Sequence, residues 1–195
     1  MRTRTTAAAV TGAALLLTLV SCSSESDDPK PATATAPAKA SKPTPAPKPD
    51  QPLALGAAYT WAGESEGLAA KGTTTVLSYT QPAKGVTPPG EGLGVNNAEW
   101  AVVEIKVCNT KGSQITVNQD PWSLSFPDDT RTEATGLNGG DLPKPEYPTL
   151  PTVIKSGDCL RGKIPYPVEH GKRPDHVVYA PVNEPTPIEW AIPAK

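Results

Sequence analysis

Trp100-Ala101-Val102-Val103-Glu104-Ile105-Lys106-Val107-Cys108-Asn109 decides how this chain reads. The stretch is rich in β-branched residues and alternates in its second half. It runs into Asn109-Thr110-Lys111-Gly112, a turn signal, so it predicts a strand in the middle of an antiparallel sheet. Val103, Ile105 and Val107 share one face; Glu104, Lys106 and Cys108 share the other. Charge is costly in a core, so the face carrying Cys108 points to solvent. The same parity argument applies to Cys159–Val168. There Leu160, Ile164 and Tyr166 face inward, and Cys159, Arg161 and Lys163 face outward.

Further strands follow on either side. Leu53, Leu55, Ala57, Tyr59 and Trp61 alternate and predict one amphipathic first strand, broken at 63–67 by glycine. A second strand is predicted over Thr73–Gln81. Short strands are expected at Ser113–Asn118, Trp122–Phe126, Arg131–Ala134, Thr152–Ile154, His176–Ala180 and Pro187–Ile192, the last with Ile188, Trp190 and Ile192 on one face. Pro127-Asp128-Asp129-Thr130 is a tight hairpin turn. Two long Pro/Gly loops, Pro82–Asn97 and Gly136–Pro151, separate these strands. Eight or nine short strands and no convincing helix predict an all-β antiparallel β-sandwich of the immunoglobulin-like kind.

Composition agrees with short strands. There are 24 prolines and 16 glycines, while aromatics make up 5%. Removing Arg2 and Arg4 with a leader takes the 18 basic residues to 16, against 20 acidic ones. A mildly acidic chain lacks the clustered Lys and Arg that nucleic-acid phosphates require. Met1 is the single methionine, which excludes methionine-rich soft-metal binding.

The chain divides into a signal peptide over 1–21, a disordered Pro/Ala/Lys-rich linker over 22–52, and a folded domain over 53–195. Arg2 and Arg4 precede an apolar run, Ala7–Val20, too short for a span that takes about 20 residues. The run ends in Leu19-Val20-Ser21-Cys22, which resembles a bacterial lipobox. That resemblance implies cleavage before Cys22 and a lipid on its sulfur, hence an extracytoplasmic, lipid-anchored location. The competing reading is an ordinary signal peptide with an incidental cysteine. Eight prolines lie between Ser23 and Pro52, with almost nothing to bury, a composition that cannot offset its own ordering entropy. The linker holds the domain off the membrane; a wall-binding or glycosylated stalk is the alternative.

Cys108 and Cys159 remain. Export places them in an oxidising setting where a disulfide forms. Parity predicts a bond within one sheet, joining neighbouring antiparallel strands on the solvent side. Glu104 then sits against Lys163, and Lys106 near Arg161. A bulge beside either cysteine would reverse this. Two free thiols are the alternative, and a redox pair lacks its C-x-x-C spacing.

Val107-Cys108-Asn109-Thr110, Trp122 before the Asp128-Asp129 hairpin, Ser156-Gly157-Asp158 before Leu160-Arg161-Gly162-Lys163-Ile164, and Val177-Val178-Tyr179 carry a family likeness. Over residues 53–195 the chain resembles a bacterial immunoglobulin-like domain family of unknown function that includes a secreted mycobacterial immunoprotective antigen. The resemblance implies the fold and an actinobacterial envelope lipoprotein. It implies no site.

No catalytic constellation is visible. There is no G-x-S-x-G, and His170 and His176 read as a loop and a strand-start histidine around a polar turn. Asp175 lies beside them, but no metal set of three or four ligands is legible. Asp128-Asp129 is one acidic turn, far from a calcium shell. No Gly-rich loop precedes a helix, so no nucleotide cofactor is expected. Trp61, Trp100, Trp122 and Trp190 read as core. Leu93, Leu142, Tyr147 and Leu150 in the long loops offer a weak contact surface. The expectation is a non-catalytic module binding an unidentified envelope protein, polymer or ligand. The alternatives are an accessory module of a transport or signalling system, a hydrolase with His170 or His176 against a carboxylate and a hydroxyl, and a purely structural surface protein.

Overall fold

The structure, a computed structural model, describes residues 50–65, 67–182, 184 and 186–194. The leader, Cys22 and nearly all of the linker lie outside these residues. Eleven strands and one short 3-10 helix (Glu91–Leu93) are present among the described residues. In chain order they are β1 (Leu53–Ala54), β2 (Ala58–Ser65), β3 (Leu68–Thr80), β4 (Ala98–Gly112), β5 (Ile115–Val117), β6 (Trp122–Ser125), β7 (Arg131–Glu133), β8 (Thr152–Ile154), β9 (Cys159–Glu169), β10 (His176–Tyr179) and β11 (Ile188–Ala191). One sheet has the order β1-β11-β10-β6-β7 and a second β2-β3-β4-β9, while β5 and β8 pair separately. Both larger sheets contribute to one buried cluster. The fold is an immunoglobulin-like β-sandwich, as the strand pattern predicts.

The central strand behaves as its sequence dictates. Val103, Ile105 and Val107 are buried in the cluster between the sheets; Lys106 is exposed on the other face. In β9, Ile164 and Tyr166 are buried while Cys159 and Arg161 are exposed. Trp122, Leu124, Val177, Ile188 and Trp190 fill the opposing layer. Each such side chain removed from water stabilises the fold by roughly 1.5–3 kcal/mol. Trp122 stacks at 4.5 Å on Tyr179 and at 6.1 Å on Trp190, ring centre to ring centre.

Three strand predictions need correction. The single strand expected over Leu53–Trp61 is two strands in different sheets. β1 pairs in parallel with β11, and β2 pairs with β3. The chain turns at Gly56, whose φ is +88°, a conformation glycine adopts without steric cost. Burial nevertheless alternates through the turn, so the switch leaves no trace in the hydrophobic pattern. Secondly, β2 does not break at Gly63 but continues to Ser65, and β3 begins at Leu68 rather than Thr73. Gly72 is a packing requirement inside β3: a Cβ there would lie 2.1 Å from the Trp61 ring and 2.2 Å from the Cys108 carbonyl oxygen. Thirdly, Pro145–Tyr147, expected as loop, runs alongside β9. Lys163 N donates to the Pro145 carbonyl at 2.8 Å, and Tyr147 N to the Lys163 carbonyl at 3.0 Å.

The disulfide lies where parity puts it. Cys108 and Cys159 are register partners on the neighbouring strands β4 and β9 and are bonded, with Cα atoms 4.0 Å apart. The same register sets Glu104 opposite Lys163 and Lys106 opposite Arg161. The ion pair formed is the diagonal one, Arg161 Nε to Glu104 Oε1 at 2.9 Å. The β3–β4 register shifts twice, at Lys71/Gly72, where Thr110 of β4 is the extra residue, and at Val76/Ser78, where Leu77 of β3 is; the β4–β9 register runs unbroken from Ala98 to Cys108 and keeps its parity.

Candidate functional site

The described residues include two places where chemistry-bearing side chains gather, at opposite ends of β10. Near His176 the groups knot together. Tyr79 Oη donates to Gln81 Oε1 at 2.6 Å. Gln81 Nε2 donates to Glu99 Oε1 at 2.8 Å and to the Lys172 carbonyl at 2.6 Å. The Arg173 guanidinium lies 5.2 Å over the Tyr79 ring and reaches the Pro193 carbonyl at 2.9 Å. Burial raises the Tyr79 phenol well above its ordinary range, with Arg173 opposing. The two histidines separate here. His170 Nε2 is 3.9 Å from Glu99 Oε2; His176 Nδ1 is 3.1 Å from Asp175 Oδ1. His176 lies opposite Ser125 in the sheet, but Ser125 donates no hydrogen bond to it.

At the other end a cavity of about 410 Å³ opens between β5, the start of β6 and the end of β10. Val117, Pro121, Trp122, Tyr179, Pro181 and Val182 supply apolar wall, Thr116, Asn118 and the exposed Asp120 supply polar groups, and the fully buried Tyr147 also borders it. Each reaches the cavity for a local reason. Trp122 opens β6 and is register partner of Tyr179. Tyr147 is fully buried and is brought in by the Pro145–Tyr147 edge pairing. That pairing is possible because residue 162 is glycine: a Cβ would sit 2.6 Å from both Tyr147 Cα and Tyr147 N. Gln119 Nε2 then holds the Tyr147 carbonyl at 2.8 Å.

Polar groups at this end are not all engaged. The Tyr147 hydroxyl and Gln119 Oε1 are enclosed without a hydrogen-bond partner. A buried polar group without a partner costs about 1–3 kcal/mol. Burial pushes the Tyr147 phenol far above its ordinary range, helped by neighbouring Tyr179, so it stays a neutral donor. Burial also pushes Tyr179 up to about 12, with Glu184 adding and Thr74 opposing. Thr74 Oγ1 accepts from Trp61 Nε1 at 3.1 Å. Glu184 is itself raised by burial, in part offset by the hydrogen bond from Tyr59.

The sequence marked Tyr147 as an apolar loop residue, Trp122 as core and Tyr179 within the family likeness, and it did not mark Asp120, Pro181 or Val182. Their joint placement depends on the β6–β10 register, which no local pattern encodes. Leu150 is exposed; Leu93 and Leu142 are half-buried and do not line the cavity. Asp128 caps its own hairpin, its carboxylate accepting from Thr130 N and Oγ1.

No protein-family profile matches the chain, and no curated protein matches it. Solved structures do. The secreted protein MPT63 of Mycobacterium tuberculosis aligns with a TM-score of 0.54 at 16% identity, over 74% of this chain and 100% of that one. The likeness is one of fold. The yjhA protein of Bacillus subtilis aligns with a TM-score of 0.51 at 15% identity, over 72% and 99%. The expected resemblance to a secreted mycobacterial family therefore holds for the sandwich itself.

Proposed function

We propose that this chain is an exported envelope lipoprotein of the actinobacterial type, whose immunoglobulin-like domain binds a partner molecule without catalysis. Lipid on Cys22 tethers it, and the 22–52 segment spaces the domain from the outer side of the cytoplasmic membrane. Two or three acyl chains, at about 0.8 kcal/mol per buried methylene, hold a protein stably on a bilayer. The observation that carries the binding reading is the cavity: concave, with apolar residues and a few polar ones (Thr116, Asn118, Asp120) in its wall, as ligand sites are. Neither histidine lines it. An accessory role in transport or signalling is this reading with a permease or sensor as the partner.

The test uses the anchored protein in its own membranes. Labelled palmitate is incorporated by the natural chain and not by Cys22→Ser; incorporation surviving that change refutes the anchor. A photo-crosslinking residue at Val182, on the cavity rim, yields a reproducible adduct that one at Lys84, in the first long loop, does not. Equal adducts at both positions contradict a cavity site.

The hydrolase reading has one observation in its favour, His176 against the Asp175 carboxylate at 3.1 Å with Ser125 as its register partner. Labelling of Ser125 by a fluorophosphonate establishes it; an unlabelled protein removes it.

A further inference from the structure

We infer that the free edge of β2 pairs with a second copy of this chain. Two β2 strands run antiparallel about a two-fold axis at Ala62 and join two four-stranded sheets into one.

A sheet edge is a row of unpaired N–H and C=O groups, and folded proteins guard it with short strands, proline, charge or a covering loop. Three of the four edges of the larger sheets are guarded in these ways. β1 is two residues long, and β7 is three, with Arg131 and Glu133 exposed. β9 carries Pro165 and Pro167 and is paired by Pro145 and Tyr147. β2 is the exception. It is eight residues long and holds no proline, lysine or arginine. Its register with β3 is unbroken.

The direction of its backbone groups follows from the neighbouring strand. The Val76 carbonyl of β3 points to the β2 side, accepting from Gly56 N at 2.8 Å; the Ala69 carbonyl points the other way, accepting from Ser113 N at 3.1 Å. Even-numbered residues of β3 therefore bond β2, through their register partners Tyr59, Trp61 and Gly63. Backbone groups alternate in direction along a strand, so those of Thr60, Ala62 and Glu64 point away from the sheet. Among the described residues they meet no neighbouring strand.

The side chains leave this edge open and make it self-complementary. Thr60 and Glu64 are exposed on the outer face. Trp61 is turned back onto β3: its Nε1 donates to Thr74 Oγ1 at 3.1 Å, and its ring fills the space over Gly72. A Cβ on Gly63 would meet nothing within 4 Å. In the register centred on Ala62, Thr60 stands opposite the partner's Glu64, a hydroxyl donor against a carboxylate. Trp61 stands opposite the partner's Gly63, bulk against space. No like charges meet, and this match favours a second copy over an unrelated strand. One strand pair buries less than the roughly 1,200 Å² of a stable interface, so the pairing is weak in dilute solution and gains from confinement on a surface.

The test first places a cysteine at residue 62 of the full chain. Across the axis the two copies of that residue lie about 5.5 Å apart, Cα to Cα, within disulfide reach. Mild oxidation of intact cells carrying Ala62→Cys yields a covalent dimer, and Leu150→Cys, at an exposed position, does not. Sedimentation of the purified full chain then tests the register. Thr60→Glu sets like charges opposite each other at both ends of the pair and weakens the dimer about tenfold. Thr60→Lys meets the partner's Glu64 instead and keeps or tightens it. Both changes lie on an exposed face, and unchanged circular dichroism checks the fold. Crosslinking at residue 62 no greater than at residue 150 overturns the pairing, whether the chain is alone or an unrelated strand takes the edge. Equal effects of Glu and Lys at residue 60 overturn the register and the self-match argued from it.

Discussion

The two long loops have similar compositions and opposite roles. Both are rich in Pro and Gly. The 82–97 loop folds over the outer face of β4, where Trp100 and Val102 are buried outside the central cluster. Ala83 N donates to the Trp100 carbonyl at 2.8 Å, and Trp100 Nε1 donates to the Thr87 carbonyl at 2.9 Å. The 136–151 loop instead reaches the free edge of β9, pairs with it through Pro145 and Tyr147, and sends Tyr147 inward to the cavity. What separates the two fates is the surface each meets. The first meets an apolar patch and covers it. The second meets unpaired backbone groups beside a glycine and joins the sheet. Asp141 links the two, accepting from Thr87 N and Oγ1 at 2.6 and 2.7 Å.

The disulfide should break this symmetry most. The segment it closes, 51 residues long, contains the second loop and excludes the first. Replacing both cysteines by serine costs about 4 kcal/mol by the chain-entropy estimate. Amide exchange at Tyr147 accelerates more than at Ala83. Equal acceleration at the two positions contradicts the difference drawn between the loops.

Glycine substitutions sharpen it next. Gly162→Ala drives a Cβ into the backbone of Glu146 and Tyr147, which cannot yield as a flexible side chain would. Denaturant unfolding should show a loss of about 3 kcal/mol. Gly90→Ala, in the first loop, meets nothing within 4 Å at an ordinary negative φ. It should stay within about 0.5 kcal/mol.

The smallest effect is at the link between the loops. The Thr87 hydroxyl, then its N–H, hold the Asp141 carboxyl below its ordinary 3.8. A lowered carboxylate contributes stability above its unfolded value and loses it as pH falls through the folded one. The Trp100 indole resonance should therefore shift as the solution is acidified below the usual carboxylate range. Asp141→Asn should show part of that shift at neutral pH and no acid step.

Much of this was legible. Charges at Glu104, Lys106, Arg161 and Lys163 fixed which face of two strands is wet, and so placed both cysteines. The turn at Gly56 was not legible, because burial alternates across it whether or not the chain changes sheets. Gly72 reads as a breaker when judged by propensity alone; only the nearby Trp61 ring makes it a necessity. Tyr147 was noticed, but its role was hidden because Pro145 joins the sheet by its carbonyl alone, and proline is the residue least expected to pair. Pro165 and Pro167 lie in β9, the sheet's edge strand, where a missing N–H is tolerated. The cavity depends on cross-strand register, and register is set by the whole assembly.

Amide chemical-shift mapping of the isotope-labelled domain during titration with prodan, a small neutral naphthalene ketone used as a probe of the cavity, tests the central claim most directly. The account predicts perturbations confined to 116–122, Tyr147 and 179–182, with 82–97 silent. Perturbations centred on 82–97, or spread evenly over both loops, would contradict it.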